Sequence, residues 1–118
     1  MKTNRIGLDN QKSEELAGLL GDLLANYSTF YQNVRGYHWN IKGEKFFELH
    51  LKFEELYNDL FMKIDEVAER VLTLGFTPNH QFTEYFKQSE IAESKEVTNG
   101  IKSVESILDA FEILLKKQ

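Results

Sequence analysis

Cysteine is absent from these 118 residues, proline occurs once, and no run of eighteen apolar residues exists. Without cysteine there are no disulfides and no thiolate metal ligands. Without a long apolar run there is no membrane-spanning helix, and the N-terminus has no signal-like apolar core. Positive charge is also scarce. Fourteen Lys and Arg face nineteen Asp and Glu, a net charge of −5. That balance argues against a general electrostatic grip on nucleic acid and suits the gathering of cations. Apolar residues reach 42%, enough for one core, and the length predicts a single domain over residues 1–118. A cytoplasmic location fits these absences.

What is present reads as helix. After a short polar stretch with Lys2, Arg5 and Lys12, Ser13 precedes Glu14 and Glu15 as a helix start. Leu16, Leu19, Leu20, Leu23, Tyr27, Phe30, Tyr31, Val34 and Tyr37 then keep helical spacing to about Tyr37–Trp39. Asn40 to Glu44, with Gly43, is a turn. A second helix runs from Phe46 to Leu74 and stops at Gly75, with Pro78 just beyond. Phe82 to Lys87 forms a short connecting helix. Ser94 opens a third long helix with Val97, Ile101, Val104, Leu108, Phe111 and Leu115 as its apolar stripe and Gly100 as a weak spot. No internal repeat or inter-domain linker interrupts this order.

The second helix carries two stripes. With His50 as origin and ~100° per residue, Glu54, Asp65 and Glu69 fall at ~40°, ~60° and ~100°. The core stripe of Leu49, Phe53, Leu56, Leu60, Ile64, Val67 and Val71 falls at ~240–320°. Acidic residues on a helix are ordinarily a solvated face, but Tyr57 and Phe61, at ~340° and ~20°, adjoin this one. His50 and Asp65 stand ~22 Å apart along the axis, too far for one ion with ligands at ~2 Å. These are therefore two half-sites. His50 with Glu69 and Glu54 with Asp65 share one midpoint, between Asp59 and Leu60. A two-fold axis there brings the half-sites of two antiparallel copies together, the self-complementary pattern of an isologous dimer. His38, inside the first helix's apolar arc, is expected to be buried and to need a metal or carboxylate partner. The short turn places it near His50. His80, in the loop region, reads as ordinary surface.

The run His38-Trp39-Asn40-Ile41-Lys42-Gly43, then His50, Glu54 and Asp65-Glu66-Val67-Ala68-Glu69-Arg70, resembles the Dps (DNA protection during starvation) mini-ferritins. The similarity covers essentially the whole chain. It implies an all-α, ferritin-like helical bundle, to which this chain contributes three long helices and a short connecting one. The family's fourth helix is expected to be missing after Gln118, a C-terminal truncation. The resemblance further implies a hollow homododecamer that oxidises Fe(II), preferably with hydrogen peroxide, and stores ferric iron. Its ferroxidase sites lie at two-fold interfaces. Carried over by position, His38, His50 and Glu54 are metal ligands from one subunit, and Asp65 and Glu69 from its neighbour. Trp39 resembles the family tryptophan that takes up oxidising equivalents. One departure is Glu54, where the family usually has Asp; the charge is kept on a longer arm. Zinc is a possible competitor for iron.

Other classes fit less well. A helical di-iron enzyme of the Glu-x-x-His type needs Glu three residues before His. Arg35, Phe47 and Thr77 occupy the positions before His38, His50 and His80. A DNA-compacting protein needs a basic tail, whereas Asp9, Glu14 and Glu15 offset the tail's cations. DNA contact is therefore expected to be weak or indirect. In a non-enzymatic helical oligomerisation protein the ligand stripe would be accidental. Cover is also expected for the third helix's apolar stripe, against Phe111, Leu114 and Leu115.

Overall fold

The computed structural model describes residues 10–43, 46–95 and 98–117. The basic positions Lys2 and Arg5, with Glu44, Val97 and Gln118, lie outside them. Helix α1 (Asn10–Asn40) is central, packing against α2 (Phe46–Thr73), α3 (Phe82–Gln88) and α4 (Gly100–Lys117). Its middle is buried nearly all round, as a helix with neighbours on several sides must be: Leu24, Ala25, Tyr27, Phe30, Val34 and Tyr37 are all in the core. Leu16 and Leu19, which share the helical spacing, are exposed. Helix α2 is amphipathic in the ordinary way, burying Phe53, Leu60, Val67 and Val71 and half-burying Leu49, Leu56 and Ile64. It ends in a Schellman cap: Gly75, at φ 92°, donates to Leu72 O, and Phe76 N donates to Val71 O.

Two asparagines of α1, Asn26 buried and Asn33 half-buried, hold the long connection between α3 and α4. Asn26 Oδ1 accepts from Glu90 N at 2.9 Å and Ile91 N at 3.2 Å. Asn33 Nδ2 donates to Ala92 O, and Asn33 Oδ1 accepts from Ser94 N. Removing Asn26 takes away the acceptor that the Glu90 and Ile91 amides share and leaves Ile91 N only its bond to Ser89 Oγ. Asn26→Ala should therefore lower stability by about 1–3 kcal/mol, whereas the exposed Asn40→Ala should stay within about 0.5 kcal/mol. A denaturant midpoint that falls at unchanged slope checks this.

The last helix differs from its sequence reading. Ser94 is part of the pinned connection, and α4 begins at Gly100, where Asn99 caps it by accepting from Lys102 N at 3.0 Å. Gly100 is thus an entry residue rather than an interior weak spot. A Cβ there would lie 2.8 Å from Leu49 Cδ1, so the residue permits a close approach to α2. Lys42 N donates to Thr98 O, tying the α1–α2 turn to the same corner. The face α4 buries is Ser103, Ile107, Ala110 and Leu114, while Ile101 (74%), Leu108 (60%) and Leu115 (71%) are exposed. Phe111 stacks edge-on against Phe30 at 5.5 Å. Among the described residues no helix is long and apolar enough to cross a membrane.

Candidate metal centre

The turn after α1 folds α2 back so that His38 and His50 meet face to face, ring centroids 3.6 Å apart and planes 19° from parallel. Each imidazole is held by the other's backbone. His38 Nδ1 bonds to His50 O at 2.6 Å, and His50 Nδ1 bonds to His38 O at 2.8 Å. A carbonyl can only accept, so both Nδ1 atoms carry the proton. Of the two tautomers of an imidazole, these bonds select the one with the lone pair on Nε2. Metal-binding histidines are usually oriented in this way. His38 is 7% exposed and His50 half-buried, so burial of His38 is as expected, but its partner is a backbone carbonyl rather than a carboxylate.

Around the pair is an aromatic wall. Phe46 stacks on His50 at 5.1 Å, and Tyr57 meets His38 edge-on at 5.2 Å. Glu54, half-buried, follows one turn after His50 on α2. Asp65 and Glu69 are exposed on the far half of the same helix, and the helical rise keeps Asp65 ~22 Å from His50. They are not brought to the histidines within one chain. Among the described residues no three His, Asp or Glu side chains converge closely enough to hold a metal. Trp39, at 55% exposure, lays its indole against the Arg35 guanidinium at 4.7 Å. Between the two ends of α2, Lys63 Nζ pairs with Asp59 at 2.9 Å, and this hydrogen bond raises the lysine's pKa against the opposing effect of burial.

A concavity of about 380 Å³ lies in the cleft between α1, α2 and α3, where Arg35, Phe61, Asp65, His80 and Phe86 line it. His80 is exposed at its rim, in keeping with the surface reading. Tyr31, one of the helically spaced apolar residues of α1, meets the Tyr57 ring at 6.1 Å and the Phe61 ring at 6.3 Å. Tyr31 lies seven residues before His38 and Tyr57 seven after His50, a spacing that puts each tyrosine on its histidine's side of the helix.

The helix order and packing define a ferritin-like bundle, and residues 17–118 match the ferritin-like domain family. The chain is 41% identical over 112 residues to the DNA protection during starvation protein of Porphyromonas gingivalis, covering 95% of this chain and 70% of that protein. It is 51% identical over its full length to an uncharacterized protein of Haemophilus influenzae, 74% of which it covers. A Dps crystal structure from Vibrio cholerae, described as a member of a broad superfamily of ferritin-like diiron-carboxylate proteins, superposes with a TM-score of 0.97 at 54% identity. That match covers 99% of this chain and 74% of the other. Dps from Staphylococcus aureus follows at TM-score 0.84 and 35% identity, covering 88% and 70%. This chain belongs to the ferritin-like superfamily and, within it, to the Dps mini-ferritin family.

Proposed function

We propose that this chain is a ferroxidase subunit that binds Fe(II) as substrate at sites shared between two copies and oxidises it, preferably with hydrogen peroxide, for storage as ferric iron. The observation that carries this reading is the reciprocal His38–His50 lock, which costs both imidazoles their Nδ1 and leaves two Nε2 lone pairs at one place. Imidazole with carboxylate is a donor set suited to Fe(II). Glu54 adds a hard oxygen from the same chain, and Asp65 and Glu69 of a second copy complete the set. Carboxylates favour the ferric product by charge, while imidazole retains the ferrous substrate. Zinc, bound by the same donor types, would compete.

The assembly that follows is a two-fold dimer and, by family, a dodecameric cage formed in the cytoplasm from copies of this one-domain subunit. Trp39 is assigned the uptake of oxidising equivalents. DNA is protected chemically, by removal of iron and peroxide. With a net charge of −5 few phosphate contacts are available, and direct binding is weak at physiological salt.

Stopped-flow oxidation of Fe(II) with limiting peroxide, beside the same reaction in air, tests the assignment. The wild type should react faster with peroxide. His38→Ala together with His50→Ala should slow oxidation by more than the ~10–100-fold that follows loss of an outer-shell partner. Equal rates in wild type and double variant would remove the histidines from the chemistry.

A further inference from the structure

Lys42 is where the backbone ladder of α1 gives way. Ile41 N still donates to Tyr37 O at 3.0 Å, one residue past the helix. The next bond of the ladder would run from Lys42 N to His38 O. Lys42 N donates instead to Thr98 O at 3.1 Å, and Lys42 and Asn99 pair as a single parallel bridge. The carbonyl passed over at that step is the one that accepts from His50 Nδ1 at 2.8 Å. A second contact reaches the same place. A Cβ on Gly100 would lie 2.8 Å from Leu49 Cδ1 and 3.6 Å from Ile41 Cδ1. Leu49 immediately precedes His50, and the buried Ile41 stands three residues after His38.

Resting on the ferroxidase reading above, we infer that the entry of α4, Thr98 to Gly100, positions the two metal-binding histidines although it carries no ligand itself. Thr98 O holds the Lys42 amide away from the His38 carbonyl, for which it would otherwise compete with His50. Gly100 seats α4 against Leu49 and Ile41, and so sets the distance between the end of α1 and the start of α2. Both Nδ1–carbonyl bonds span that gap. At 2.6 and 2.8 Å, they are carried past hydrogen-bonding distance by a displacement of about 1 Å. An imidazole released from its Nδ1 acceptor exchanges tautomers. The proton then spends part of its time on Nε2, where a metal needs the lone pair. Thr98 and Gly100 are positioning residues, acting through Lys42 and Leu49.

The test is solid-state nitrogen NMR of histidine-labelled protein, with hydrogen exchange and Co(II) titration of the same variants. The chain has three histidines, and the exposed His80 serves as an internal reference. In the wild type His38 and His50 should carry their protons on Nδ1 alone, and the amide of the exposed Lys42 should exchange slowly. Gly100→Val should speed that exchange, give His50 a mixture of tautomers and weaken Co(II) binding by ~10–100-fold, as loss of a ligand's hydrogen-bonding partner does. Gly100→Ala should move all three readouts in the same direction by less. Leu49→Ala, added to Gly100→Val to clear the contact, should restore the tautomer and most of the affinity although it removes further packing. A freely exchanging Lys42 amide in the wild type, or Gly100 variants that keep wild-type tautomers and Co(II) affinity, would overturn the positioning role and leave the ferroxidase reading standing. Wild type that binds no Co(II), with variants that still shift the tautomer, would overturn the ferroxidase reading alone.

Discussion

His50→Ala and Asp65→Ala should each abolish iron oxidation, and subunits of the two variants, mixed and allowed to exchange, should regain part of it. The expectation follows from placement. The two residues lie on one helix ~22 Å apart, and the ends of α2 do not meet inside a chain. A dimer about the point between Asp59 and Leu60 has two equivalent sites. In the mixed dimer one site receives both defects and the other neither, so half the wild-type activity is the ceiling for a hybrid. Random exchange lowers the recovered fraction further. Activity is read by iron oxidation and exchange by mass spectrometry of differently labelled subunits. Verified exchange without recovery would mean that each chain builds its site alone.

Phe61→Glu should remove the same activity without touching a ligand. Phe61 is 61% exposed and lies next to the midpoint of α2, 6.3 Å from the Tyr31 ring. Near a two-fold axis it meets its own counterpart, so the substitution places two carboxylates together in an apolar seam. Like charges brought into such a contact cost several kcal/mol. That is a large share of the association energy of a standard interface. The chain itself should still fold, because Phe61 contributes little to the core. Circular dichroism should be unchanged, while Co(II) binding and iron oxidation are lost and the assembly is smaller by sedimentation. Leu108→Glu, on the exposed face of α4, is the control that leaves the metal sites in place. Full metal binding by Phe61→Glu would separate the site from the two-fold contact.

The second helix was legible because its apolar residues recur on one stripe and its ligand residues on another. Burial of Phe53, Leu60, Val67 and Val71 follows the periodicity residue by residue. The last helix was not legible in the same way, since it is apolar on more than one side. The larger residues Ile101, Leu108 and Leu115 drew the stripe, whereas Ser103, Ile107 and Ala110 are what fit against α1. Small residues permit close packing and leave a weak hydrophobic signal. The start of this helix is hidden in the sequence by its capping chemistry. Ser94 is a good cap by type, but its amide is committed to Asn33, and Asn99 does the capping. At the metal centre, connectivity alone placed His38 near His50. Their mutual carbonyl bonds depend on how two helices cross, which a linear pattern does not encode. Tyr31 is legible as part of the first helix's apolar arc and Tyr57 as a neighbour of the ligand stripe, but their contact with each other is not.

The most direct measurement is anomalous diffraction at the iron edge from crystals soaked in Fe(II) without oxidant. Peaks should lie on both sides of a two-fold axis crossing α2, each between His38, His50 and Glu54 of one subunit and Asp65 and Glu69 of the other. Iron bound wholly within one chain, or a two-fold contact that leaves the His38–His50 pair facing solvent without metal, would contradict the shared site.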